Sequence, residues 1–137
     1  MNYSFLTAGV LVALAFLAHT FIGVREALST RPLRQGQRDS DFMVLERRWV
    51  QSLCAFQLVT IDLLALAALL IALSFPSLLP ARQSLAQMSL LLLLGWGVIW
   101  LIQMAALRRP FKDYLVLGQW ILWFICAGLL YQGLQAF

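Results

Sequence analysis

The sequence predicts an all-α, polytopic membrane protein in which four transmembrane helices form an antiparallel bundle, a single domain over residues 1–137. Of these residues 62% are hydrophobic, against about 45–50% in soluble domains, and a chain of this size cannot bury that much apolar surface. Only 12% are charged, against about 25% in soluble domains. The charges are grouped between long apolar runs, which excludes a soluble enzyme, a disordered tail and a fibrous repeat.

Four apolar runs are long enough to cross a hydrocarbon layer of roughly 30 Å, which takes about 20 helical residues. They cover residues 3–24, 49–75, 85–107 and 114–134, with boundaries good to a few residues. The first run has no Lys or Arg before it and no small-residue cleavage pattern after it. We therefore expect it to be retained as a span and not removed as a signal peptide.

The Lys and Arg side chains predict the orientation. Loops one and three lie on the same side of any four-span chain and hold nine of the ten, whereas loop two holds only Arg82. The positive-inside rule places loops one and three in the cytoplasm and both termini outside, in a bacterial-type inner membrane. The nine residues are Arg25, Arg31, Arg34, Arg38, Arg47, Arg48, Arg108, Arg109 and Lys112.

Proline and helix-capping residues predict where the first helix ends and where the second helix begins. The first helix should stop near Thr30, because the residue before Pro32 is driven out of helical geometry. Residues 29–41 then form the cytoplasmic loop. Ser40 or Asp41 is expected to cap the second helix, since short polar side chains accept hydrogen bonds from the first free amides.

The second half of the chain has similar signals. Pro76 and Pro80 break the external turn. Ser84, followed three residues later by Gln87, forms a capping box that predicts the start of the third helix. Asp113 is expected to cap the fourth helix.

The sequence lacks the familiar motifs of nucleic-acid binding, metal binding and enzyme catalysis. Loop one carries six basic and four acidic residues, and no basic groove with stacking aromatics indicates nucleic-acid binding. The sequence contains no C-x-x-C, H-E-x-x-H, G-x-S-x-G or glycine-rich phosphate loop, so no cofactor and no metal site is predicted. Cys54 and Cys126 are expected at different depths and are interpreted as packing residues.

Polar side chains inside the spans are the candidates for function, because each one is costly in hydrocarbon. Each span has one such polar side chain that lies roughly 6–12 Å from the cytoplasmic end of its helix. Two tryptophans fall at similar depth. The predicted binding layer comprises His19, Gln57, Gln103 and Gln119 with Trp100 and Trp120.

Two interpretations of this layer stay open. Amides and imidazoles commonly hydrogen-bond across membrane helices, and boundary tryptophans commonly act as anchors, so the layer can be purely structural. Alternatively it lines a cytoplasm-facing pocket for a lipid headgroup or an amphipathic small molecule. His19, Gly23 and Glu26 share one helix face that leads toward the cytoplasm. His19, Glu26 and Arg25 are therefore the candidate catalytic residues.

Asp62 is the one acidic residue deep inside a predicted span. It lies about 18 Å from the cytoplasmic end of its helix, and no basic residue matches its depth. Ala55, Leu58 and Ala65 share its face, and small residues favour close helix packing. Three roles stay open: a neutral structural carboxyl, a group that recognises a partner, and a proton-transfer residue.

The first helix resembles a pattern in a group of small four-span bacterial membrane proteins. Here the residues are His19-Thr20, Gly23-Val24-Arg25-Glu26 and Pro32-Leu33, where the group has His-Ser, Gly-Glu-Arg and Pro-Leu at similar spacing. The stretch 48–64 is similar to the second helix of that group, with Gln57 in place of a second histidine. A metal or haem held by two histidines is therefore not implied for this chain.

The last span is similar to that of bacterial MAPEG proteins, a trimeric four-helix family that includes glutathione transferases. The likeness rests on residues 111–123, with Tyr114-Leu-Val-Leu-Gly118 and Ile121-Leu-Trp123. The Asn-x-x-Glu pattern of that family would correspond here to Gln51-x-x-Cys54. The resemblance implies a shared fold without glutathione binding.

Three functions follow as hypotheses. The leading one is a small accessory or assembly subunit of an inner-membrane complex that acts by helix packing, and not an enzyme. Its partners would be the lipid bilayer and either a membrane protein or further copies of this chain. The alternatives are a MAPEG-like or lipid-modifying enzyme with a cytoplasm-facing pocket, and an oligomeric proton-coupled transporter.

Overall fold

The computed structural model describes residues 1–34, 36 and 38–136, and these residues form helices and no strand. The predicted all-α class is confirmed for this part of the chain. In chain order the helices are α1 (Tyr3–Ser29), α2 (Asp39–Leu73), α3 (Arg82–Ala106), α4 (Phe111–Val116) and α5 (Gln119–Leu134).

Three helices are long and apolar enough to cross a membrane: α1, α2 and α3, with 27, 35 and 25 residues. Helix α5 is also apolar but has 16 residues, a rise of about 24 Å against a hydrocarbon layer of roughly 30 Å. The run 114–134 is divided, because the backbone leaves helical geometry at Leu117 (φ −96°, ψ 48°) and Gly118. The length of an apolar run does not reveal such a break.

The predicted capping side chains do not occupy the capping positions. The residues that precede α2, α3 and α4 are Arg38, Ala81 and Pro110, and none of them makes a side-chain cap. Ala81 has a positive φ of 54°, so the chain turns sharply there and α3 begins at once. The predicted caps lie inside their helices: Ser40, Asp41, Ser84 and Asp113.

The four main helices pack in the order α2, α1, α5, α3, with α2 and α3 touching only sparsely. Close contacts show that neighbours are antiparallel. Gly9 and Gly23 of α1 meet Ile71 and Phe56 of α2, so residue numbers rise along one helix as they fall along the other. The same relation joins α3 to α5, where Gly97 lies against Phe124 and Trp100 reaches Leu117.

Glycines let these helices approach closely. A Cβ placed on Gly9 would lie 2.8 Å from Ile71 Cγ1 and 2.9 Å from the Ile71 backbone nitrogen. A Cβ on Gly133 of α5 would collide with the Phe5 ring. Small residues at such crossings bring backbones together and increase van der Waals contact, which stabilises helix pairs in a membrane.

The end of the bundle that contains Phe5, here called the Phe5 end, is densely packed and tied by hydrogen bonds. Asn2 donates from its backbone nitrogen to Ser74 O at 2.7 Å and from Nδ2 to Gly133 O at 2.9 Å. Arg82 Nε donates to Leu73 O at 2.6 Å. Fully buried apolar residues fill this half: Phe5, Ala8, Val12, Leu70, Leu73, Ala86, Leu93, Cys126 and Leu130.

The opposite end, the His19 end, is joined chiefly between α1 and α2. The Trp49 indole nitrogen donates to Ala27 O at 3.1 Å. Arg31 lies with its guanidinium 5.5 Å from the centre of the Trp49 ring and pairs with Glu46 at 3.2 Å. These contacts bridge the point where the chain leaves α1 and enters α2.

Candidate functional site

A cavity of about 730 Å³ opens at the His19 end of the bundle. Its walls come from α1, α2, α3 and α5. Most lining side chains are apolar or aromatic, and the polar ones are few: His19, Glu26, Thr30 and Gln119. A concave, mostly apolar space with a few polar groups is typical of small-molecule sites, which measure about 300–1,000 Å³.

A π-helical turn in α1, residues His19–Gly23, forms one wall of the cavity. It joins the α-helical segments Tyr3–Ala18 and Val24–Ser29, and its wider winding is closed by a hydrogen bond from Val24 N to His19 O. A single π turn inserts one extra residue into a helix and is frequent at functional sites. Here it begins at the only histidine of the chain.

His19 is held against Phe56 by two contacts. The two rings stack with centroids 3.8 Å apart and planes 13° from parallel. His19 Nε2 lies 3.1 Å from Phe56 O, and since a carbonyl oxygen only accepts, Nε2 must carry the proton and donate. In the neutral ring Nδ1 is then an acceptor. Gly23 completes the arrangement, because a Cβ there would lie 2.6 Å from Phe56 Cζ.

Both predicted tryptophans donate their indole protons to the break before α5. Trp100 Nε1 donates to Leu117 O at 3.1 Å, and Trp120 Nε1 donates to Tyr114 O at 2.8 Å. These bonds satisfy carbonyls that the interrupted helix leaves free. Trp100 also lines the cavity, whereas Trp120 stacks edge-on against Phe124 outside its lining.

The predicted polar layer is divided between the cavity and the outer surface. His19, Glu26, Trp100 and Gln119 line the cavity together. Four predicted site residues are exposed and are not part of the cavity lining: Arg25, Gln57, Asp62 and Gln103. Depth was counted along each helix, and it does not specify which way around the helix a side chain points.

Phe56, which contacts His19, is one of the cavity residues that the sequence analysis missed. It directly precedes Gln57, and neighbouring helical residues project about 100° apart. The side chain that meets the histidine is therefore the aromatic one, while the Gln57 amide accepts from Thr60 Oγ1 at 3.5 Å on its own helix. An available signal was Gly23, whose missing side chain makes room for a bulky ring on a neighbouring helix.

Asp62 is exposed on α2 and is not part of the cavity lining, although Val59 and Leu63 of the same helix are. Its exposed apolar neighbours include Leu58 and Ile61, which are 67% and 62% accessible. Within residues 1–34, 36 and 38–136 its carboxylate has no hydrogen bond and no ion pair. The structure thus presents an acidic group to whatever surrounds the bundle.

Other chemistry is sparse in the described part of the chain. Cys54 is exposed and Cys126 is buried, and both are free thiols. Among residues 1–34, 36 and 38–136, no group of three His, Cys, Asp or Glu side chains could hold a metal ion.

The cavity and the Asp62 face must be interpreted from their own residues. The resemblances of α1 to small four-span membrane proteins and of residues 111–123 to MAPEG proteins stay predictions. No protein-family model, no curated protein and no solved structure matches this chain.

Proposed function

We propose that this protein is an accessory or assembly subunit of an inner-membrane complex and that it binds a partner's transmembrane helix through the outward face of α2. The observation that carries the proposal is the exposed Asp62, which has no partner in the described part of the chain. A charged side chain at the centre of a membrane helix costs about 2.5–3.5 kcal/mol. A helix that supplied a hydrogen-bond donor or a positive charge at the same depth would remove much of that cost.

The residues around Asp62 suit a helix-packing surface. Ala55, Leu58, Asp62 and Ala65 are all exposed and follow one another at intervals of three, four and three residues, which places them along one stripe of α2. Such spacing matches the seam of two helices that cross at about 20°. The two alanines allow close approach, and a polar residue within a seam can specify partner and register.

The distribution of basic residues supports the orientation of the subunit. Nine of ten Lys and Arg residues fall in the two loops at the His19 end, so we place this end in the cytoplasm. Four spans then leave both termini outside, with α5 as the short fourth span. Little protein extends beyond the bilayer, which suits a subunit that acts through its membrane helices.

The test is native mass spectrometry of the protein purified from its own membranes in a mild detergent. We expect a discrete heteromeric mass for the natural chain and for Asp62→Asn, because the amide keeps hydrogen-bonding capacity. Asp62→Leu and the bulky Ala65→Phe should each lose the partner. Gln103→Leu is the matched control, since it removes an exposed polar side chain from α3.

The proposal fails if Asp62→Leu keeps the same partner in the same proportion as Gln103→Leu. It also fails if the natural chain gives only a homo-oligomer or a monomer. Circular dichroism and size-exclusion profiles of each variant separate loss of the partner from loss of the fold.

The cavity supports a second candidate function, a membrane enzyme that acts on a lipid-like substrate. His19 and Glu26 line the same space, and histidine and carboxylate side chains are common general acids and bases. Under this hypothesis His19→Ala should abolish turnover while assembly continues. An accessory subunit should instead keep its function when His19 is replaced and lose it when Asp62 becomes Leu.

A further inference from the structure

The cavity at the His19 end has an ordered distribution of polarity. Its inner part is lined by Ala15, Leu63 and Trp123, in the middle of the bundle, and its outer part by Glu26 and Thr30, near the end of α1. Residues 15 and 30 of a helix are about 22 Å apart along its axis. The space is therefore elongated, with Glu26 and Thr30 toward the mouth and His19 nearer the inner part.

Glu26 is the one charged residue of the cavity lining. It is exposed, and within the described part of the chain its carboxylate has no ion pair. No Lys or Arg of the described residues contributes to the lining. A cation in the outer part of the cavity therefore meets one carboxylate and no positive charge within the lining.

Aromatic rings provide a second feature, suited to the apolar body of a ligand. Phe56, Trp100 and Trp123 come from three different helices and line the same space. Such rings offer a large apolar area against which an aliphatic chain can pack. An apolar interior, aromatic walls and one carboxylate at the mouth together fit a specific class of ligand.

We propose that this cavity binds an amphiphile with an ammonium head, whose apolar body lies between Phe56, Leu63 and Trp123 and whose head lies toward Glu26. The volume of about 730 Å³ is within the roughly 300–1,000 Å³ of ordinary ligand sites. The site does not depend on the Asp62 face, because the two surfaces are formed by different residues of α2.

The test uses a single-chain alkyltrimethylammonium that carries bromine on its chain, added to the protein in phosphatidylglycerol nanodiscs. Bromine quenches nearby indoles, and Trp100 and Trp123 line the cavity. We expect saturable quenching that the unbrominated ammonium compound reverses and that an equally long alkyl sulfonate does not. Phosphatidylethanolamine, included in a second set of nanodiscs, should compete if the natural source of the head is a lipid.

Two variants locate the site. Glu26→Gln should weaken binding about tenfold, the effect of losing one close charge interaction. Asp41→Asn is the matched control, because it removes an equal charge from an exposed residue outside the cavity lining, and it should bind normally. Val59→Phe fills part of the cavity and should abolish saturable quenching without changing the net charge.

Three results would overturn the assignment. Quenching that rises linearly with concentration would show only partition into the bilayer. Equal affinity for the ammonium compound and the sulfonate would remove the role of Glu26. Equal weakening by Glu26→Gln and Asp41→Asn would reduce the effect to the overall charge of the protein.

Discussion

Replacing Gly9 with alanine tests whether α1 and α2 touch as closely as the structure shows. The new Cβ would lie 2.9 Å from the Ile71 backbone nitrogen, whereas ordinary van der Waals contacts begin at 3.4 Å. Because the obstacle is backbone, the two helices must move apart by about 0.5 Å, and a gap of that size already forfeits about a quarter of each contact energy across the interface.

The expected cost follows from two opposing effects. Overpacking a tight site costs about 1–3 kcal/mol, whereas exchanging a helical glycine for alanine gains up to about 1 kcal/mol. We expect Gly9→Ala to destabilise the bundle by about 1–2 kcal/mol in total. Gly95 is the matched control in α3, because a Cβ there meets nothing within 4 Å. Gly95→Ala should be neutral or stabilising.

The assay is reversible unfolding in mixed micelles, followed by circular dichroism as the fraction of denaturing detergent rises. The two variants should differ by about 2 kcal/mol, close to thirtyfold in the unfolding equilibrium constant. Equal stabilities for Gly9→Ala and Gly95→Ala would refute the close crossing of α1 and α2 at this position.

Three further predictions concern other parts of the molecule. Deleting Phe21 should convert the π turn to an α turn and keep the helical residues on both sides in their present positions. Deleting Val10 should instead rotate the residues that follow it by about 100° around the helix axis. Thermal unfolding should show a clear loss of stability for the Val10 deletion alone. Trp49→Phe should cost about 0.5–1.5 kcal/mol by removing the hydrogen bond to Ala27 O, measured in the same detergent titration against the natural chain. If the protein is a proton-coupled transporter, Asp62→Asn should abolish pH-dependent flux in vesicles, and unchanged flux would exclude Asp62 from proton transfer.

The all-helical class was predictable from composition, because 62% of the residues are hydrophobic and lie in long runs. In a membrane such runs have few ways other than an α-helix to satisfy their backbone hydrogen bonds. Two local features did not follow. The break at Leu117 and Gly118 lies inside an apolar run, and nothing but the glycine marks it. The π turn begins at His19, whose ring contacts Phe56 on another helix, and a contact between distant residues leaves no local signal in α1.

The candidate site was partly predictable for a related reason. Counting residues along a helix estimates depth, and His19 and Gln119 do lie on the same cavity. It does not give direction around the helix, so Gln57 and Gln103 were grouped with them although both side chains point outward. Direction depends on how neighbouring helices pack, which a single sequence of almost uniformly apolar spans scarcely encodes.

The packing order of the helices bears on how wide the cavity is. Since α2 and α3 touch only sparsely, the α1/α2 hairpin and the α3/α5 hairpin are joined mainly along α1 and α5, with Phe5 and Gly133 in contact at one extremity. A change in the angle between the two hairpins would pivot about that contact. A tilt of about 5° between the hairpins, over the roughly 24 Å length of α5, would move the far extremity by about 2 Å. Such a tilt would change the aperture beside Glu26, although the contact about which it turns lies at the other end of the bundle.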